Sequence, residues 1–324
     1  MLSRRGGRLE VRLHGELVHS SPIMRTSTVV LFGPVSVTTP ALHTMLDEDI
    51  PLVLLSHDGR PRGRLESPAT PSIELRRAQL VASNDNAARL IFARAVIRAK
   101  IHNQRVLLLR RARQLGPQAG ASDFLRLASS RLKTQEKSLG TAASVMSVLG
   151  IEGSATRTYY AGWRKLIPSA DFGNRGRQQP DVVNAMLNYG SALLREVVLG
   201  AILAAGLEPH VSFMHVPSRG RPTLAFDLME EWRPVLVDTA VLATLGLGQT
   251  NPNDLTVTTD GPRLSSQART MLIERFHHRL ETNSQIDPTQ ATSTTYRDRL
   301  HQQAALVATW LNGDKQHYSG FIWR

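Results

Sequence analysis

The spacing of apolar side chains changes period near residue 70, and that change limits what the chain can fold into. Ahead of it, Leu9-Glu10-Val11-Arg12-Leu13 alternates apolar and charged residues. His14-Gly15-Glu16 makes a turn, and Leu17-Val18-His19 resumes an extended pattern. Thr28-Val29-Val30-Leu31-Phe32 and Val35-Ser36-Val37 follow, parted by Gly33-Pro34, and Leu52-Val53-Leu54-Leu55 runs into the turn Ser56-His57-Asp58-Gly59. Short alternating or apolar runs between turn residues predict strands. Residues 40–49 predict one short helix among them. After Ser67-Pro68-Ala69-Thr70-Pro71-Ser72, a linker by composition, the period is helical. Helices are expected over 73–83, 87–113, 123–137 and 141–166, with a break at 116–121. Residues 181–207 predict a strongly apolar helix or helix pair at the centre of a core. Further helices are expected at 224–232 and 234–247. Thr258-Thr259-Asp260-Gly261 reads as a hairpin turn, and the last third is helical around a polar interruption at 282–295. The fold class is therefore α+β. A small β-rich domain spans 1–65, a linker 66–72, and a larger, mostly α-helical domain 73–324.

Charge narrows the partners. Thirty-nine Lys and Arg against 27 Asp and Glu leave a formal charge of +12. A GC-rich genome accounts for Arg over Lys but not for the excess of bases over acids. Such an excess favours polyanions, nucleic acid above all. There is no cysteine, which excludes disulfides, thiolate zinc sites and thiol nucleophiles. No apolar stretch typical of a signal peptide follows Met1-Leu2-Ser3-Arg4-Arg5. The longest run of apolar and small residues, 197–207, is shorter than the roughly 20 residues a bilayer requires. A soluble cytoplasmic protein without a membrane association is expected. No tandem repeat of solenoid length, nucleophile elbow, phosphate-cradling Walker loop or His-Glu-x-x-His helix is present.

Two segments carry ligand chemistry. In the first, Glu152 stands between Ile151 and Gly153 in an apolar, small-residue helical stretch. It is either a metal ligand or the partly exposed end of a broken helix, since lone carboxylates are seldom buried. Gly150 and Gly153 would let another element approach closely. In the second, His215 closes the apolar run Val211-Ser212-Phe213-Met214 and precedes a basic loop with Arg219 and Arg221. It is an ordinary polar residue or a ligand. On the helix beyond, Asp227, Glu230 and Glu231 lie opposite an apolar face of Leu224, Ala225, Leu228, Met229 and Trp232. Such neighbouring acids form either a solvated face or a ridge of cation ligands. Tyr159, Tyr160 and Trp163 either stack bases or pack the core. Brought together, a Glu, a His and a second carboxylate could hold Mg2+ or Mn2+.

Several ordered motifs resemble one family. Glu152-Gly-Ser-Ala, Pro180-Asp-Val-Val-Asn184-Ala-Met-Leu-Asn188-Tyr189-Gly190, Gly206-Leu-Glu-Pro-His210, His215, and Gly220-Arg-Pro-Thr-Leu-Ala-Phe-Asp227-Leu-Met-Glu230-Glu231-Trp-Arg-Pro234 are similar to the CRISPR-associated spacer-acquisition integrases, the Cas-one endonucleases. Leu31-Phe-Gly-Pro-Val-Ser-Val37 and Ile50-Pro-Leu-Val-Leu-Leu-Ser56 resemble its β domain, and Lys100-Ile-His-Asn-Gln104 its early helical signature. The resemblance implies a homodimer working with the small second CRISPR-associated protein (the Cas-two family) on double-stranded DNA and on the repeat-leader DNA of a CRISPR array. It implies a catalytic metal held by Glu152, His215 and Glu230, with Asp227 and Glu231 as supporting acids. The family usually has another strand ahead of the first one read here, so that strand is expected to be missing.

The mechanism so implied is insertion of new spacers, in antiviral defence, by attack of a DNA 3′-hydroxyl on a phosphodiester, helped by Mg2+ or Mn2+. The nucleophile belongs to DNA, which suits a chain without a Ser or Cys motif. Arg94, Arg98, Lys100, Arg105, Arg175, Arg177, Arg219 and Arg221 are the candidate DNA-backbone contacts. The rival readings are a non-enzymatic DNA-binding scaffold and a transposon-borne integrase of the same fold.

Overall fold

A computed structural model describes the chain except at residues 27–28, 56–60, 66, 68–72, 117–119, 168–171, 177–178, 247–253, 259–260 and 285–293. Most of the expected linker at 66–72, the turn at 56–59, the tip of the 258–261 hairpin and much of 282–295 therefore lie outside the described residues.

Three antiparallel strands open the chain: β1 (Leu2–Arg5), β2 (Arg8–Leu13) and β3 (Glu16–Pro22). The strand expected to be missing is present as β1, with Leu2 opposite Val11. Its pattern is too short to register in sequence: only Leu2 turns inward, 4% exposed, before three polar or charged residues. Between β2 and β3, His14 (φ 50°) and Gly15 (φ 89°) both take the left-handed conformation. Paired positive φ values match the right-handed twist of a hairpin. Val35–Val37 does not form a strand of its own; Val37 makes a single bridge to Leu2.

A second sheet joins β4 (Val29–Phe32), β5 (Leu52–Leu55) and β6 (Pro61–Leu65). β4 and β5 are parallel, which requires a crossover; α1 (Thr39–Asp47) supplies it. Leu2, Leu9, Ile23, Leu31, Met45 and Leu52 gather with their neighbours into a hydrophobic cluster separate from the main one.

The helical part begins with α2 (Ile73–Asn84) and the 30-residue α3 (Asn86–Leu115). The Asp85 carboxylate accepts the amides of Ala87 and Ala88, capping the start of α3. Gly116, at φ 79°, ends it. α3 packs against α4 (Gly120–Ser138) and α5 (Val145–Trp163). α6 (Val182–Ala204), α7 (Thr223–Trp232) and α8 (Thr239–Leu245) follow. The small hairpin β7 (Leu255–Thr258) and β8 (Gly261–Leu264), then α9 (Ser266–Glu281) and α10 (Tyr296–Leu311), complete the order. Among the described helices α6 alone is long and apolar enough to cross a membrane, but 61% of its apolar window is buried in the protein, as in a core helix.

The segment joining α7 to α8, Arg233–Asp238, is a π-helical turn. It starts where Pro234 withholds a backbone N–H, so the regular ladder cannot continue. The close-approach glycines are not those expected. A Cβ at Gly150 would meet nothing within 4 Å, and one at Gly153 only the tip of Arg157. A Cβ at Gly162 would meet Leu108 at 3.0 Å, and one at Gly190 would meet Val237 at 2.8 Å. Helix contact thus uses Gly162 and Gly190, and the surface around Glu152 stays open.

Candidate active site

Four segments supply the site. α3 contributes Lys100, α5 Glu152 and Thr156, the loop ahead of α7 His215, and α7 Asp227 and Glu230. α7 is placed by its apolar side: Leu224, Ala225, Leu228, Met229 and Trp232 are all 3% exposed or less. Burying each such large side chain contributes about 1.5–3 kcal/mol. That anchoring holds the acidic positions of α7 where no solvated face could be.

The three acids of α7 then part company, against the expectation of a common ridge. Asp227, fully buried, turns to the preceding loop. Its Oδ2 accepts the amides of Phe213 (2.7 Å) and Met214 (3.0 Å), and its Oδ1 the amide of His215 (3.0 Å). The same Oδ1 pairs with His215 Nδ1 at 2.7 Å. With both oxygens so engaged, Asp227 orients the histidine rather than offering itself as a ligand. A carboxylate only accepts, so Nδ1 carries the proton and Nε2 is left for other work. The Asp227 hydrogen bond raises the His215 pKa, against the opposing effect of burial.

Glu231, also fully buried, turns the other way. Its Oε1 accepts from Tyr318 Oη (2.8 Å) and its Oε2 from the Phe321 amide (2.7 Å), so it anchors the C-terminal tail. Burial pushes its pKa up to about 8. It serves the C-terminal tail rather than the Lys100 ammonium that Glu152 and Glu230 share.

Glu230 faces the site. Its Oε2 accepts from Lys100 Nζ at 2.5 Å and its Oε1 from Arg233 Nε at 3.0 Å. Burial works to raise its pKa, but Arg233 and Lys100 outweigh it and hold it at about 2. The same Lys100 ammonium is bonded to Glu152 Oε1, which also accepts from Thr156 Oγ1 one turn further on, at 2.8 Å. Glu152 and Glu230, 78 residues apart in the chain (230 − 152), therefore meet on one buried ammonium. Burial alone would lower the Lys100 pKa, but Glu230 and then Glu152 raise it. The charge of His215 acts on Glu230 and that of Glu230 on His215. The His215 side chain is 41% exposed, against 22% for Glu152 and 12% for Glu230. Among the described residues, no three His, Asp or Glu side chains already stand in a coordination cluster; the cation between the two glutamates is Lys100. The donor set still suits a hard divalent ion, with two carboxylates and one oriented imidazole.

Comparison with known proteins agrees with the motifs. The family described as CRISPR associated protein Cas1 matches residues 1–278. The chain belongs to the Cas1 family. A CRISPR-associated endonuclease Cas1 of Rhodospirillum rubrum is 32% identical, aligned over 100% of this chain and 95% of its own. One from Moorella thermoacetica is 29% identical over 98% of this chain and 93% of its own. A Cas4 exonuclease/Cas1 endonuclease fusion of R. rubrum is 35% identical over 96% of this chain. The chain spans 54% of that fusion and of a second one, from Geobacter sulfurreducens. In fold it is similar to a casposase bound to its integration product (TM-score 0.79, 23% identity, 98% of this chain and 90% of that one). It is also similar to a Cas1 protein of Thermotoga maritima (TM-score 0.75, 20% identity, 100% and 96%).

The Cas1 fold sorts the basic residues expected to hold DNA. Arg98, Arg219 and Arg221 are exposed. Arg94 is part-buried and donates to the Ala142 carbonyl at 2.6 Å. Arg105 pairs with Glu136 at 3.7 Å. Arg175 donates to the side chains of Asn184 (2.9 Å) and Asn188 (2.8 Å), closing a loop onto α6. Lys100 is buried between two glutamates. All four have partners within the protein, and Arg177 lies outside the described residues. Helical spacing placed Arg94, Lys100 and Arg105 on a basic helix but could not say which side of α3 would be covered. Tyr159 and Trp163 are fully buried, and Tyr160 packs against both and against Phe172, so this aromatic group is core. Sequence pattern does not single out Thr156 or Arg233, which the structure places on Glu152 and Glu230. Arg233, three residues beyond Glu230 on the same helical side, carried the available signal.

Proposed function

We propose that this chain is a metal-dependent Cas1 endonuclease and integrase that inserts new spacers into a CRISPR array. The observation that carries this reading is the meeting of Glu152 and Glu230 on a single buried cation beside an oriented His215. Glu152, Glu230 and Nε2 of His215 would hold Mg2+ or Mn2+; when bound, the ion supplies Lewis-acid charge to a phosphodiester oxygen. The protein's own groups do the remainder. Asp227 keeps His215 in one tautomer and one orientation. Arg233 and Ser191, joined at 3.0 Å, hold Glu230 in place. The open helical surface at Gly150 and Gly153 leaves room for a DNA strand beside Glu152. Arg98, Arg219 and Arg221 hold phosphates. The attacking oxygen is a DNA 3′-hydroxyl: an O–P bond forms to it, and the displaced strand leaves with its own oxygen. No protein nucleophile is required.

The same reading makes residues 1–65 a dimerisation domain and 73–324 the catalytic one. Leu13, Leu17, Val18 and Met24 are 53–90% exposed on the first sheet and its exit, apolar surface that a second copy would cover. The substrates are double-stranded DNA and CRISPR repeat-leader DNA. The partners are a Cas2-family protein and, by the fusions, a Cas4-type exonuclease. The site of action is the cytoplasm. The test is strand joining into supercoiled plasmid with Mg2+ or Mn2+, by wild type and Glu152→Ala, with and without the Cas2-family partner. Joining by wild type alone is expected; equal metal-dependent joining by Glu152→Ala would remove the assignment.

A further inference from the structure

The metal reading leaves Lys100 without a task. It sits where a ligand set would bind its ion, it belongs to α3 rather than to a flexible loop, and its side chain is only 9% exposed. A lysine buried at such a place needs partners, and it has two, both proposed metal ligands. Two carboxylates drawn together without a cation would repel each other. The ammonium removes that repulsion and fixes both side chains before any ion arrives.

We propose that Lys100 is a resident counter-cation of the metal site, which holds Glu152 and Glu230 in place and must be displaced when a divalent ion binds. This rests on the metal reading above. Oxygen ligands hold Mg2+ at roughly 2.0–2.1 Å, closer than an ammonium hydrogen-bond contact. Glu152 Oε1 and Glu230 Oε2 cannot serve both cations with the same lone pairs, and two cations in one small site repel. The four-carbon lysine stem is flexible enough to carry the ammonium out while its Cα stays in α3. Thr156 and Arg233 keep their hold on the two glutamates during the exchange, so the carboxylates need not move far. The ion must therefore outcompete two charge-assisted hydrogen bonds. Lys100 sets an affinity threshold that a weakly held ion does not pass.

The test is calorimetric titration of Mn2+ into the full-length protein, without DNA, for wild type, Lys100→Met and Glu152→Ala. Lys100→Met keeps the stem and deletes the charge. It is expected to bind Mn2+ at least about tenfold more tightly, because the two charge-assisted hydrogen bonds no longer have to be broken. Its metal-free form should melt lower than wild type and recover more on adding Mn2+. Equal or weaker Mn2+ binding by Lys100→Met, with binding lost in Glu152→Ala, overturns the Lys100 role and leaves the metal site standing. Unaltered binding in Glu152→Ala overturns the metal site and the Lys100 role with it. Should Lys100→Met not fold, wild type decides: amine acetylation mapped by mass spectrometry should miss Lys100 without Mn2+ and modify it with Mn2+. The same labelling in both conditions overturns the proposal.

Discussion

Glu230 and Glu231 are neighbours in sequence and both sit in the protein interior, yet their carboxyls are held at opposite extremes. Glu230 meets Lys100 and Arg233 and stays ionised, with a pKa of about 2. Glu231 meets a tyrosine hydroxyl and a backbone amide, no cation, and is pushed up to about 8. Burial acts in the same direction on both. What separates them is the company brought by the fold, a site of paired charges on one side of α7 and a sealed tail on the other. Perturbed carboxyls do mark functional sites, but the direction of the shift tells the two sides apart here.

The largest expected effect comes from exchanging the charges of the two sides. Glu230→Gln should reduce metal-dependent strand joining by at least about a hundredfold, through loss of a ligand. Glu231→Gln, which can still accept from Tyr318, should keep joining within about threefold. Plasmid-joining rates measure both, and an equal loss in both would erase the distinction between the two sides. Next, Phe321→Ala strikes the tail alone. Phe321 stacks on Trp232 at 4.2 Å, 5% exposed. Losing such a ring costs about 3–5 kcal/mol, read as a lower urea midpoint in a metal-free protein.

pH tests the tail more gently. Glu231 keeps its proton in the folded chain up to about 8 but releases it in the unfolded chain near 4.5. Its contribution to stability is full below the unfolded value and is lost as pH rises through about 8, because the unfolded chain binds fewer protons in that window. Asp238, raised by burial to about 6, acts likewise at lower pH. Thermal melts of wild type should therefore decline across this range more steeply than those of Glu231→Gln; parallel curves would show that Glu231 is not the group responsible. The smallest effect separates outward from inward arginines. Arg219→Ala or Arg221→Ala should lessen the salt slope of duplex binding by about one unit each, and Arg175→Ala, turned into Asn184 and Asn188, by none. Filter binding at stepped salt reads the difference, and equal slopes would show that Arg175 also reaches phosphate.

Much of this is legible in the sequence. The switch of apolar period near residue 70 divides strands from helices, and most helices fall where their spacing put them. Glu152, His215 and Glu230 stood out as candidates through ordered motifs spread along the chain. β1 did not, because one inward residue makes no pattern. Val35–Val37 looked like a strand because alternation cannot say whether a partner edge extends that far.

Local pattern alone determined where most of the helices and strands lie, which face of α7 is apolar and that the chain carries excess positive charge, since those follow from composition and from neighbours within a turn or two. The partners of each polar group were decided only by the assembled fold. Lys100, Arg94 and Arg105 read alike as basic helix positions, and Asp227, Glu230 and Glu231 as one acidic cluster. Their fates diverged because a side chain's environment is set by whichever distant segment packs over it: α5 and α7 over Lys100, the His215 loop over Asp227, the C-terminal tail over Glu231. Coulomb and desolvation energies depend on those distances, and spacing along the chain does not contain them.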